Sequence, residues 1–243
     1  MADVGALVDA IQGDREFGSA LAHREALPGV APKFESGLPV GFEALEPLLA
    51  EQKIRNLYTH QSRALRLIES GNNLVLATPT ASGKTLVYNF SSLRQSLADP
   101  ESRSLYLFPL KALEWDQRRR LERDIEQLGG AAAQIRVAIY DGDTPDSQRR
   151  KIREAPPQIL ITTPDMLHAG ILPHHANWRA FFEGLRIVVI DELHTYRGIF
   201  GSHVAQLLQR LNRVAHFHGV RPQFVPASAT IANPGELATQ LTG

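Results

Sequence analysis

Residues Thr78-Pro79-Thr80-Ala81-Ser82-Gly83-Lys84-Thr85 make a tight turn of small residues that closes on a lysine and a hydroxyl. The turn follows the apolar run Leu74-Val75-Leu76-Ala77. A strand that feeds such a turn and then a helix is the setting in which backbone amides wrap a phosphate. The amides of residues 81 to 85 can converge on a β-phosphate at the positive end of the following helix. In this reading Thr80, Ala81, Ser82 and Gly83 complete the cradle. Lys84 reaches the β- and γ-phosphates, and Thr85 offers its hydroxyl to Mg²⁺. Gly-Lys-Thr alone also starts ordinary helices, so a second motif has to decide.

That motif is Asp191-Glu192-Leu193-His194, directly after Leu185-Arg186-Ile187-Val188-Val189-Ile190. The run reads as a buried strand rich in β-branched residues. A carboxylate at the C-terminal end of a buried parallel strand stands where open α/β sheets bind their ligands. Asp191 is placed to hold the magnesium through water. Glu192, one residue on, points elsewhere and can orient and deprotonate an attacking water. Together the two motifs describe a site for ATP and Mg²⁺.

The elements that must position these residues alternate. Strands are expected near 73–78, 103–108, 135–139, 158–162, 186–190 and 223–228, and helices near 83–97, 111–128, 145–153, 165–170, 178–183 and 201–216. Such alternation with apolar strand centres implies an α/β fold with a parallel sheet covered on both faces. Before it, helices are expected around Val4 to Ile11, from Gly41 to Lys53 and from Thr59 to Ser70. Residues 1–54 are read as a helical appendage and 55–243 as the nucleotide-binding domain.

The 26 basic and 26 acidic residues balance, so no global field announces a polyanionic partner, although a local phosphate-contacting strip remains open. With no cysteine among 243 residues, disulfides, thiolate zinc sites and cysteine nucleophiles are excluded within this segment. No run approaches a membrane span and the start lacks a secretory pattern. A cytoplasmic location without membrane attachment is the expectation.

Several short motifs then fall in the order found in superfamily 2 helicases of the DEAD/DEAH-box class, which the chain resembles from about residue 55 to 232. Leu57-Tyr58-Thr59-His60-Gln61 resembles the adenine-reading glutamine motif, and residues 78–85 the first nucleotide motif, with Thr78 and Ala81 as departures. Pro109-Leu110-Lys111-Ala112-Leu113, Asp141-Gly142-Asp143-Thr144 and Thr162-Thr163-Pro164-Asp165-Met166-Leu167 resemble segments that touch a nucleic-acid backbone. Ser228-Ala229-Thr230 resembles the motif that couples hydrolysis to strand movement. The stretch from Asp191 to His203, with Ser228 to Pro234, is similar to the RecQ4-like yeast helicase group and its bacterial relatives.

The resemblance implies a three-layer α/β/α RecA-like P-loop NTPase domain with a mostly parallel sheet. It also implies a 3′ to 5′ DNA helicase or translocase serving DNA repair. In it Tyr58 and Gln61 meet the adenine, and His194 links the γ-phosphate site to Ser228 and Thr230. Pro109, Lys111, Gly142, Thr162, Thr163 and Asp165 would contact single-stranded DNA through its backbone, with little sequence preference. Members of this class carry a second RecA-like domain that supplies an arginine finger. The chain is therefore expected to be a fragment lacking that domain, nearly inactive alone.

Other assignments are more local. Arg118, Arg119, Arg120 and Arg123, interspersed with Asp116, Glu122 and Asp124, read as a solvated helix face. Arg149, Arg150, Lys151 and Arg153 are more one-sided and suit either solvent or nucleic acid. His174 and His175 read as loop surface, and Trp115 and Trp178 as packing anchors. Two further functional classes stay open: an RNA-dependent ATPase, which the Leu-His ending of the acidic box disfavours, and a nucleotide-dependent module that regulates another motor.

Overall fold

The computed structural model describes residues 4–25, 31–79 and 82–243. They fall into two compact units, Met1–Lys33 and Phe34–Gly243. The first contains α1 (Val4–Gly13), none of whose residues is buried, and an ion pair between Arg24 and Asp9 at 2.5 Å.

The second unit opens with β1 (Phe34–Ser36), α2 (Glu46–Glu51), β2 (Asn56–Tyr58) and α3 (Thr59–Glu69). β1 and β2 pair antiparallel, Phe34 opposite Tyr58. Neither was expected, because three-residue strands are too short to display a period. The boundary between units falls at Lys33, well before residue 54. Phe42, Leu45, Leu48 and Leu49 explain this, for they are buried in one core with Leu57, Leu65 and Ile68. The helix expected over 41–53 is shortened at its start, with Pro47 in the first turn of α2.

The main body continues with β3 (Leu76–Ala77), α4 (Lys84–Ala98), β4 (Arg103–Leu107), α5 (Lys111–Leu128), β5 (Val137–Ile139) and α6 (Asp146–Glu154). Then follow β6 (Ile159–Thr162), α7 (Pro164–Met166), α8 (Arg179–Gly184), β7 (Leu185–Ile190), α9 (Gly198–Phe217), β8 (Gln223–Ser228) and α10 (Pro234–Thr242). The six strands β3 to β8 form one sheet in the order β3-β8-β7-β4-β6-β5. Every pairing in it is parallel.

Side chains alternate across this sheet with period two. Tyr106, Ile159, Ile161, Ile187 and Val189 enter the core under α3, α4 and α5. Leu105, Leu107, Leu160, Val188 and Ile190 enter the opposite core under α8, α9 and α10. The three-layer α/β/α architecture is thus present.

Two differences from the expected elements have local causes. The separate helices expected at 165–170 and 178–183 are joined by a wide π turn, Leu167–Ile171, and a 3₁₀ stretch, Leu172–Trp178. Pro173 near the start of that stretch cannot supply an amide donor. α10 lies beyond the last motif and carried no expectation. Trp178 is fully buried, as an anchor should be, but Trp115 is 50% exposed under the Arg118 guanidinium. His175 is half-buried and bonds His218 at 3.1 Å, so of the two histidines read as surface only His174 is exposed. No described helix is long and apolar enough to cross a membrane.

Candidate nucleotide and nucleic-acid site

All six strands of the main sheet end, at their C-terminal edge, in one of the singled-out motifs. The neighbours β3, β8 and β7 end in the Thr78–Lys84 loop, Ser228–Thr230 and Asp191–His194. The next three, β4, β6 and β5, end in Pro109–Lys111, Thr162–Asp165 and Asp141–Thr144. Strand order therefore gathers the loop and carboxylates expected to meet phosphates on one half of the edge and the segments expected to meet a nucleic-acid backbone on the other.

On the first half, Gly83 caps α4 with φ 79°, where a Cβ would overlap the side-chain nitrogen of Gln61. Gln61 is buried. Its Oε1 accepts from the Tyr58 amide at 2.9 Å, and its Nε2 donates to the carbonyls of Ser82 and Gly83 at 3.3 and 3.2 Å. Gln61 thus pins the phosphate loop to the start of α3, with one Oε1 lone pair left over. The sequence reading gave this amide to a base and did not foresee the second duty. Tyr58 lies between the rings of Phe34 and His60, at centroid distances of 5.0 and 5.4 Å. His60 Nε2 also reaches the Ser82 carbonyl at 3.2 Å. Thr80 and Ala81 lie outside the described residues.

Lys84 Nζ donates to the carbonyls of Thr78 and Pro79 at 2.8 and 3.0 Å. Burial lowers its pKa, while Asp191 and Glu192 act to raise it. Asp191 is held at both oxygens: Oδ1 accepts the Glu192 amide at 2.9 Å and Oδ2 the Tyr88 hydroxyl at 2.9 Å. Burial pushes the Asp191 carboxyl up; the two hydrogen bonds and Lys84 oppose that, and Glu192 adds to it. Glu192 adopts the left-handed conformation, φ 51° and ψ 45°. Such backbone is costly for a residue other than glycine and clusters at functional sites.

His194 Nδ1 stands 3.3 Å from Glu192 Oε2 and 3.3 Å from Ser228 Oγ. Ser228 is buried, and its carbonyl accepts from the Thr78 amide at 3.4 Å, so it joins the acidic box to the phosphate loop. Ala229 and Thr230 continue from it, Ala229 half-buried and Thr230 exposed. Thr85 Oγ1 and Asp191 Oδ2 share Tyr88 as a neighbour, at 3.3 and 2.9 Å. Hydroxyl and carboxylate oxygens suit a hydrated Mg²⁺ completed by phosphate. Among the described residues no cluster of three or more His, Cys, Asp or Glu offers an alternative metal cage.

On the second half, Lys111 pairs with Asp143 at 2.8 Å, both side chains largely exposed. An exposed pair of this kind is worth about 0–1 kcal/mol, so a phosphate can displace it. Asp141 Oδ1 accepts from the Asp143 amide and the Thr144 hydroxyl, which shapes the turn presenting Gly142. Thr163 caps α7 by accepting from the Met166 amide at 3.3 Å, and Asp165 is exposed beside it. Thr162 stands apart from these: its hydroxyl is buried and donates to the Tyr140 carbonyl at 2.5 Å. It shapes the strand end and does not present a hydroxyl to a phosphate.

Among the cationic runs, Arg149 donates to the carbonyls of Asp141 and Gly142, and Arg153 to the Tyr140 hydroxyl, whereas Arg150 and Lys151 are exposed. On α5, Arg118 pairs with Glu122 at the surface, but Asp124 is buried and does not belong to a solvated face.

Glu114, also on α5, carried no sequence signal because an acidic residue in a first helical turn is ordinary. Here it is fully buried and neither carboxylate oxygen has a hydrogen-bond partner among the described residues. Burial, aided by Asp141 and opposed by Lys111, pushes its pKa from 4.5 to about 8. A carboxyl whose folded pKa is raised contributes stability that is fully present below the unfolded value, about 4.5, and lost as pH rises through about 8. Glu114→Gln should therefore flatten the pH dependence of unfolding across that window. The difference should be on the order of a few kcal/mol. Parallel denaturant midpoints for the two proteins at pH 5, 7 and 9 would dismiss the assignment.

Comparison with known proteins adds a family to this geometry. The DEAD/DEAH box helicase family matches residues 58–237, a range that holds every motif above except for Leu57 at the start of the first. The chain belongs to the DEAD/DEAH box helicase family. It is 50% identical over 201 residues to the ATP-dependent helicase YprA of Bacillus subtilis, covering 83% of this chain and 26% of that protein. It is 36% identical over 230 residues to the ATP-dependent helicase HRQ1 of Saccharomyces cerevisiae, covering 94% of this chain and 21% of that protein. A crystal structure of the DUF1998 helicase MrfA bound to DNA and AMPPNP superposes with a TM-score of 0.90 at 44% identity. That match covers 98% of this chain and 32% of MrfA. The chain thus spans about a fifth to a third of the proteins it resembles. These helicases are of the YprA and HRQ1 kind, the group indicated by Asp191 to His203.

Proposed function

We propose that the unit Phe34–Gly243 is the first RecA-like motor domain of a 3′ to 5′ DNA helicase that serves DNA repair. The observation that carries this reading is the division of one sheet edge between a phosphate-and-carboxylate half and a backbone-contact half. Tyr58 and the free Oε1 lone pair of Gln61 receive the adenine, whose exocyclic amine donates to that lone pair. Ser82, Gly83, Lys84 and Thr85, with Thr80 and Ala81, hold the phosphates, and Glu192 takes the proton of the attacking water. Thr85 and Asp191 hold Mg²⁺, which neutralises charge on the phosphate oxygens when bound. His194 relays the state of Glu192 to Ser228 and through it to Ala229 and Thr230.

Pro109, Lys111, Gly142, Thr163 and Asp165 line the path of single-stranded DNA. A second RecA-like domain completes the site with an arginine finger, which is worth about 10³–10⁵ in rate. The segment alone then turns over ATP very slowly and unwinds nothing. The MrfA complex with DNA, at 44% identity, supports DNA as the substrate.

The test joins this chain to its second motor domain and compares ATPase stimulation by single-stranded DNA and RNA, then unwinding of 3′- and 5′-tailed duplexes. DNA stimulation with unwinding only from the 3′ tail is expected. Stimulation by RNA alone would move the assignment to an RNA-dependent ATPase, and no stimulation by either would favour a regulatory nucleotide module.

A further inference from the structure

Tyr88 carries no role in the motifs, yet it is the buried group that touches both oxygens assigned to magnesium. Its hydroxyl lies 2.9 Å from Asp191 Oδ2 and 3.3 Å from Thr85 Oγ1. A phenol has one proton and can also accept. The nearer, charged acceptor, Asp191 Oδ2, takes that proton, so the phenol oxygen faces Thr85 as an acceptor. The Thr85 hydroxyl proton then points at Tyr88, and the Thr85 oxygen lone pairs point away from it. Asp191 Oδ1 is already held by the Glu192 amide at 2.9 Å, so Tyr88 completes a two-point grip on the carboxylate.

The phenol itself has little freedom to move. Tyr88 is 1% exposed, and its ring meets that of Tyr106 edge-on at 5.4 Å. The Tyr106 hydroxyl lies 3.2 Å from the Tyr88 carbonyl and 3.3 Å from Asn89 Oδ1, two acceptors for its one proton. Gln117 on α5 bonds the same Asn89 oxygen at 2.5 Å. The Tyr106 ring thus bounds that of Tyr88, while the Asn89 bond to Gln117 ties this turn of α4 to α5.

We infer that Tyr88 is a positioning residue, whose hydroxyl sets the spacing and lone-pair direction of Thr85 and Asp191 for a hydrated divalent cation carried by the nucleotide. The inference rests on the nucleotide-site reading above and deepens it. Groups that orient metal ligands typically change metal affinity by about 10–100-fold when removed.

The test is Tyr88→Phe, which keeps the ring and its packing. ADP and AMPPNP are titrated into wild type and variant by calorimetry, with Mg²⁺ and separately with EDTA. The variant should bind both nucleotides as wild type does in EDTA, and lose about tenfold or more of the gain that Mg²⁺ brings. Tyr106→Phe removes a neighbouring hydroxyl that does not touch Thr85 or Asp191, and should keep the full gain. Equal Mg²⁺ gains in wild type and Tyr88→Phe would overturn the inference while leaving the nucleotide site intact. No binding by wild type under any condition would instead remove the site on which it rests.

Should Tyr88→Phe not fold, ¹³Cζ-tyrosine NMR asks the same of wild type. With five tyrosines in the chain, assignment through Tyr→Phe changes at the other four is practical. Adding Mg²⁺ to the nucleotide-saturated protein should shift the Tyr88 resonance, and an unmoved Tyr88 resonance would overturn the inference.

Discussion

Glu192→Gln is expected to bind ATP as wild type does and to hydrolyse it about 10²–10⁴-fold more slowly, in the protein that includes the second motor domain. The substitution exchanges one carboxylate oxygen for an amide of the same shape. It removes the group that accepts the water proton and leaves Lys84, Thr85 and Asp191 untouched. The left-handed backbone at residue 192, φ 51°, is unaffected by a change beyond Cγ. The Glu192–His194 contact at 3.3 Å survives as a neutral hydrogen bond, so Ser228 keeps its partner. Single-turnover hydrolysis and calorimetric ATP affinity, measured side by side, give the answer. Hydrolysis within about threefold of wild type would show that the proton goes elsewhere.

Lys84→Ala should have the largest effect on binding, and this chain suffices to measure it. An ammonium that meets a phosphate contributes about 1.5–3 kcal/mol per charged hydrogen bond, or about 10–150-fold in affinity. The ammonium now rests on the Thr78 and Pro79 carbonyls at 2.8 and 3.0 Å, within the loop that must receive the phosphates. Its side chain needs only to exchange one set of oxygens for another. ATP and ADP affinities should both fall and that of AMP should not, since Lys84 is assigned to the β- and γ-phosphates. A uniform loss across all three would mean that the loop had collapsed rather than lost a contact.

Much of this was legible in residue order because the chemistry sits where strands stop. Leu185 to Ile190 announces a buried strand by composition, and whatever follows it must emerge at the sheet edge. The same holds for Leu105 to Phe108 and Ile159 to Thr162. Strand neighbours are a different matter. Nothing in the sequence says that β8 lies between β3 and β7, because that adjacency is fixed by tertiary packing. Ser228 and Thr78 meet through it, and they are 150 positions apart.

Three site features escaped for related reasons. Tyr88 occupies an interior helical position, where an aromatic usually means packing, and only the fold reveals that its hydroxyl finds Asp191. Gln61 was readable as an amide able to meet a base, but its bonds to Ser82 and Gly83 need the folded loop. Glu114 looked like an ordinary acidic first turn until burial removed its water. Conversely, Thr162 was read from its motif as a phosphate ligand, and the structure turns its hydroxyl inward. Side-chain direction at a strand end depends on the register, which runs Thr162 opposite Leu107.

The seam between the two halves of the edge is the β4–β7 ladder. From Ser104 opposite Ile187 to Leu107 opposite Ile190 it runs without interruption, its side chains packed into both cores. A joint so stitched cannot flex like a hinge. On the proposed reading, any push from the cutting of a triphosphate would swing the entire slab with the polynucleotide track it is assigned, and its pivot would lie outside this sheet.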